Sequence, residues 1–222
     1  MKTEIKGAPS FAYLVVTLDP GETIYAEPDA MSSMSAKLDM KAKLNGGLFS
    51  ALLRKFLGGE SLIINEFTNH TDEPQEIRIV QTTPGDMKEI DLADDGVCLE
   101  PGTYICSTPD VKLGVRWAGI ASFIGREGLF KLKAFGSGKV WIGSYGGIVE
   151  KDVDGEYIID TSHLVAYPPQ MKLKVQLSGG IFSSFFGGEG LVTRLEGKGK
   201  VLIQTRSLSG LAAWLAPKLK RF

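Results

Sequence analysis

Three glutamates recur in the same local setting along this 222-residue sequence. Glu60 stands in Gly58-Gly59-Glu60-Ser61-Leu62, Glu127 in Gly125-Arg126-Glu127-Gly128-Leu129, and Glu189 in Gly187-Gly188-Glu189-Gly190-Leu191. Carboxylates gathered in one place could bind a cation or serve as general acid and base. Each could instead accept backbone N–H bonds from its own glycine turn and fix the shape of that turn. The structural reading is preferred, because equivalent placement follows from duplication alone. No catalytic residue and no metal ligand is therefore assigned.

Other chemistry-bearing residues are sparse. His70 sits in Asn69-His70-Thr71-Asp72, which reads as a turn, and His163 sits beside a strand. A cupin-like metal centre needs clustered His and Glu ligands, which two isolated histidines do not supply. No metal and no cofactor are expected. Cys98 and Cys106 lack the spacing of a zinc site or a redox CxxC, so both read as small apolar core residues. A strand-to-strand disulfide or a functional thiol is the minority reading. Ser50, Ser122, Ser183 and Ser184 lie in no Gly-x-Ser-x-Gly elbow. The glycine loops lead into strands, whereas a phosphate-binding loop opens a helix. The inventory points away from an enzyme.

What stands out is apolar. Phe49, Leu52 and Phe56 occupy the first glycine-flanked segment, Phe123 the second, and Phe182, Phe185 and Phe186 the third. Side chains of this size either plug the ends of a core or form a patch for self-association or a partner. They are the candidate interaction loops.

Strands must position these loops. Apolar and polar residues alternate over Ala36-Lys37-Leu38-Asp39-Met40-Lys41-Ala42-Lys43-Leu44, over Val111-Lys112-Leu113-Gly114-Val115-Arg116-Trp117, and over Met171-Lys172-Leu173-Lys174-Val175-Gln176-Leu177. Period-two alternation predicts strands with one buried and one solvated face. Each runs into glycine two residues later, at Gly46, Gly119 and Gly179. Upstream, Pro20-Gly21-Glu22-Thr23-Ile24-Tyr25 echoes Pro101-Gly102-Thr103-Tyr104-Ile105, with Asp154-Gly155-Glu156-Tyr157-Ile158 as a weaker third copy. Pro-Gly is strong turn punctuation. The fold expected is all-β, with three pseudo-repeated β units in a pseudo-threefold arrangement, as three sheets or a closed β architecture. One domain spans 1–222, its copies falling at approximately 1–95, 96–152 and 153–222. Helix is expected only at residues 48–57 and 208–219.

Composition narrows the partners. The formal net charge is -1, with charges scattered along the chain. Nucleic-acid binding normally leaves a concentrated basic face, so no nucleic acid is expected. No apolar run approaches the ~20 residues that span a bilayer. The N-terminus runs straight into a strand without a signal-peptide pattern, so a cytoplasmic location is expected. The tail from Leu211 to Arg221 mixes apolar and basic residues. Docking onto the domain is its expected role, with weak membrane-surface contact second.

The stretch Pro20-Gly21-Glu22-Thr23-Ile24-Tyr25-Ala26-Glu27-Pro28-Asp29-Ala30-Met31 resembles the opening signature of the altered-inheritance-of-mitochondria family. The segments around Glu60 and Glu127, and the tail from Thr205-Arg206-Ser207-Leu208, are similar to that family as well, so the resemblance covers essentially the whole chain. It implies a TRAP-like all-β fold, related to the double-stranded β-helix and to the tryptophan RNA-binding attenuation protein. It implies no catalytic residues, and unknown biochemical function, with mitochondrial relatives linked to inner-membrane organisation. RNA binding does not follow, since this chain lacks a basic stripe with interleaved aromatics. The function expected is a non-catalytic structural or scaffolding protein that forms homo-oligomers. The alternative is a binding module for a small ligand or membrane surface, using the glycine-aromatic loops.

Overall fold

A computed structural model describes residues 1–44, 63–92, 96–117, 130–177 and 191–219. The expectation of an all-β chain holds: strands dominate, and one short α-helix is present among the described residues. They form three antiparallel sheets. The first has the order β1 (Lys2–Lys6), β2 (Tyr13–Leu18), β7 (Gln75–Val80), β4 (Met31–Met34). The second runs β5 (Asp39–Leu44), β6 (Ile63–Thr68), β3 (Thr23–Ala26), β10 (Tyr104–Ser107), β13 (Gly138–Gly143), β8 (Met87–Leu92). The third runs β11 (Val111–Trp117), β12 (Phe130–Gly136), β9 (Val97–Leu99), β15 (Leu164–Tyr167), β17 (Leu191–Gln204), β14 (Ile148–Asp160), and β16 (Lys172–Leu177) also pairs with β17.

Alternation decides which side chains go inside. In β2, Leu14, Val16 and Leu18 are fully buried, and in β7 Ile77 and Ile79 join them. With Ile24, Phe67 and Trp141 they form a first core between the first and second sheets. A second core holds Tyr104, Val140 and Ile142 against Val97, Leu99, Ala134 and Leu202, between the second and third sheets. The third core gathers Val153, Ile159, Leu164, Met171, Leu195 and Val201, all from the third sheet or its turns, so that sheet curls over itself. Strands β10, β13 and β15 feed two cores each. Trp141 faces the first core while Val140 and Ile142 face the second. Buried on both faces, such strands read as apolar runs rather than alternation.

The third sheet can curl because its two long strands bend at one place. Gly155 of β14 lies directly opposite Gly197 of β17, and both have positive φ, 107° and 129°. A side chain other than glycine would be strained in that conformation.

Two features differ from the sequence pattern. The alternating face of β5 is buried only at its entry: Leu38 is buried, but Met40 is 48% exposed. The reason is position, since β5 is an edge strand of its sheet and lies at the rim of the core. The Pro-Gly echo is also turn chemistry rather than matched placement. Gly21 and Gly102 both take positive φ, yet the strands that follow them, β3 and β10, pair with each other at Ala26↔Cys106.

Ile79→Ala removes a fully buried side chain of the first core and is expected to cost about 2–5 kcal/mol of unfolding free energy. Val149→Ala, at a site 47% exposed, is expected to cost less than about 0.5 kcal/mol. Denaturant melts of the two variants check this, and similar losses in both would refute the core assignment.

Candidate functional site

The candidate interaction loops and repeated acids fall in three segments. Phe49, Leu52, Phe56 and Glu60 lie in 45–62, Phe123 and Glu127 in 118–129, and Phe182, Phe185, Phe186 and Glu189 in 178–190; all lie outside the described residues, as does the helix expected at 48–57. The strands that lead into these segments are described. Leu44 pairs with Ile63, Trp117 with Phe130, and Leu177 with Leu191. Each segment therefore leaves and re-enters at the end of one antiparallel strand pair.

Two hydrophobic layers part to leave a cleft of about 290 Å³ between β8 and the strands β9, β15 and β17. Ile90, Leu92, Val97, Ala166, Pro168 and Leu202 make its walls apolar. Lys88 and Lys200 stand at its polar side, and one carboxylate holds both. Glu150 Oε1 lies 2.5 Å from Lys88 Nζ, and its Oε2 accepts from Lys200 Nζ at 2.7 Å. These bonds, that from Lys200 first and that from Lys88 second, hold the Glu150 carboxyl down at about 2. The cluster ties β8 of the second sheet to β14 and β17 of the third. Chemically, the cleft suits an apolar or amphipathic molecule, and its lysines are already engaged.

Other ionisable groups lie elsewhere in the fold. Lys131 of β12 and Glu100, the residue that follows β9, form a buried ion pair. The Tyr104 hydroxyl, 3.0 Å from Ser107 Oγ, is pushed up by burial. Cys98 and Cys106 are fully buried cysteines, and burial raises the Cys106 thiol well above its usual range. The histidines serve separate places: His163 Nδ1 lies 2.7 Å from the Gln204 carbonyl, and exposed His70 is 3.5 Å from Asp39. Among the described residues no group of three His, Cys, Asp or Glu side chains is placed to hold a metal.

The tail departs from expectation. Helix α1 (Leu208–Leu215) begins at Ser207, whose Oγ accepts from Gly210 N at 3.0 Å. Rather than docking onto the sheets it buries no residue. Leu208, Trp214 and the following Leu219 are 56%, 59% and 61% exposed. Among the described residues, the last main-chain bonds from this stretch to a distant part of the chain lie just before it, from Thr205 N to Gly147 O and from Arg206 N to Tyr145 O. Among the described residues, the side chains of this eight-residue helix are covered by no sheet face. No helix among the described residues is long and apolar enough to cross a membrane.

Neither the Glu150 cluster nor the Glu100–Lys131 pair is signalled in the sequence. Lys88, Glu150 and Lys200 come from three distant strands, and Lys131 looks like any solvent-facing member of an alternating run.

A family model described as "Mitochondrial biogenesis AIM24" matches residues 3–206. An uncharacterised protein of Streptococcus pyogenes serotype M6 is 26% identical over 224 residues, covering 97% of this chain and 90% of that protein. A crystal structure of another Streptococcus pyogenes protein is similar with a TM-score of 0.80 at 25% identity, covering 98% of this chain and 99% of that one.

The depressed Glu150 carboxyl fixes a pH window. Its contribution is present above the ordinary value of 4.5 and is lost as pH falls towards about 2. Glu150→Gln is expected to lower Tm at neutral pH, with the gap from wild type closing across that window. Thermal melts of both proteins from pH 7 to pH 2 measure it; a gap that stays constant would sink the assignment.

Proposed function

The chain belongs to the AIM24 family, and from that premise we propose that it is a non-catalytic structural protein that self-associates as a scaffold. The supporting observation is how its sheets are strung together. Neighbouring cores share a sheet, and the string stops with a strand edge at each end, β4 in the first sheet and β14 in the third. A strand edge presents a row of N–H and C=O groups ready to pair with another chain. At thirteen residues, β14 offers a long one. Light scattering on the purified protein is expected to give a mass that is a multiple of 24.0 kDa. A single-chain mass at every concentration tested would defeat this reading.

Helix α1 favours a second reading, a module that binds a membrane surface. Its exposed leucines and Trp214 lie beside Lys218, whose Nζ is 4.1 Å from the centre of the Trp214 ring. Aromatic, aliphatic and basic side chains together suit the interface of an anionic bilayer. The chain lacking residues 208–222 is expected to lose flotation with phosphatidylserine-containing liposomes that the full chain retains. Equal flotation of both would dismiss this reading.

A further inference from the structure

The ladder registers repeat. A bulged ladder occurs three times: Met31↔Ile79 then Ser33↔Arg78, Tyr104↔Ile142 then Cys106↔Trp141, and Leu164↔Ile203 then Ala166↔Leu202. Strands β4, β10 and β15 thus occupy corresponding places. A second correspondence follows from the strand pairs that flank the glycine segments. Leu44↔Ile63, Trp117↔Phe130 and Leu177↔Leu191 align β6, β12 and the start of β17. Their next neighbours, through Ala26↔Asn65, Leu99↔Leu132 and Ile159↔Thr193, align Ala26, Leu99 and Ile159.

Two junctions then join these corresponding strands. Ala26 pairs with Cys106 and Tyr25 with Ser107. Leu99 pairs with Ala166 and Cys98 with Tyr167. A main-chain bond extends each, from Glu27 N to Ile105 O at 2.8 Å and from Glu100 N to Val165 O at 2.9 Å. By the same register Ile159 belongs with Ser33, Ile158 with Met34, and Asp160 N with Ser32 O. Among the described residues β4 and β14 are not paired. The unmade junction shows in exposure: Cys106 and Ala166 are buried, while Ser33 in the matching place is exposed and Ile158 is 51% exposed. Other edges behave differently. β5, β11 and β16 are edge strands in all three places, and β1 and β8 are edges of the first and second sheets that take no part in these junctions, so at the place of this junction β4 and the end of β14 are the strands left unjoined.

We propose that β4 of one copy pairs antiparallel with residues 155–160 of β14 in a second copy, in the register Ser33↔Ile159 and Met34↔Ile158. The proposal rests on the self-association reading and names its surface. A second copy is the occupant favoured here, because no ladder among the described residues joins residues 1–80 to residues 148–204, and the first and third cores share no side chain. Each copy carries one β4 and one β14. Each β4 can therefore meet the β14 of another copy, and once such contacts close on themselves, as a two-fold pair or a larger ring, no free end of this kind is left.

The test uses cysteine substitutions, since the native thiols are buried. Opposed positions in such a ladder lie within disulfide reach. Met34→Cys protein mixed with Ile158→Cys protein is expected to give a disulfide-linked heterodimer under mild oxidation, with neither variant linking alone. Met34→Pro supplies a second arm. Ser35 N already bonds Glu76 O in β7, so alternation points Met34 N outward, and proline there is expected to abolish the oligomer with unchanged far-UV dichroism. If the double variant Met34→Cys/Ile158→Cys links only within one chain, the strands close internally and the proposal is overturned. An oligomer that survives Met34→Pro and yields no heterodimer overturns this surface while leaving self-association standing. A single-chain mass for the wild type removes both.

Discussion

A strand buried on both faces must find hydrogen-bond partners along both edges, because no water reaches its backbone. That constraint organises this protein. β10, β13 and β15 each send side chains into two cores, so each lies inside a sheet with a strand on either side. Cores and sheets consequently alternate along the chain, and no core can be removed without stripping the neighbour's sheet of half its apolar cover. The apparent economy of short strands, four residues in β10 and four in β15, follows from this: every residue in them is buried.

The edges of the arrangement obey the opposite rule. Where a strand edge meets water, charge and small polar residues accumulate. β14 carries Glu150, Lys151, Asp152, Asp154 and Glu156 over most of its length, and β4 has Ser32 and Ser33 at its centre. Those residues discourage indiscriminate pairing. Ile158 interrupts this polar edge near the end of β14.

Much of the fold is legible in the sequence for a physical reason. Alternation over residues 111–117 and 171–177 reports strands with two unlike faces, and the structure has β11 and β16 there. Glycine after each alternating run reports the end of a ladder. What escapes is whatever depends on which strand lies beside which. Pro20-Gly21 and Pro101-Gly102 look equivalent because turns are local, whereas the pairing of β3 with β10 is a long-range fact. The Glu150 cluster escapes for the same reason, since residues 88, 150 and 200 meet only through sheet packing. The exposure of the tail helix escapes as well, because apolar composition states a preference for burial without supplying a surface to bury against. The phenylalanines and glutamates singled out from the sequence lie outside the described residues. What is described is the strand ends that carry them.

Gly155 and Gly197 carry one more consequence. In the first two cores the chain breaks between layers, so a layer could open while its neighbour stays closed. In the third, β14 and β17 pass without a break from one layer to the other and remain paired from Ile148↔Gln204 to Asp160↔Val192. Local opening cannot be confined to one side of such a ladder, so its amides should exchange with solvent as one cooperative block. The bend that two glycines permit makes the last part of the chain its least divisible.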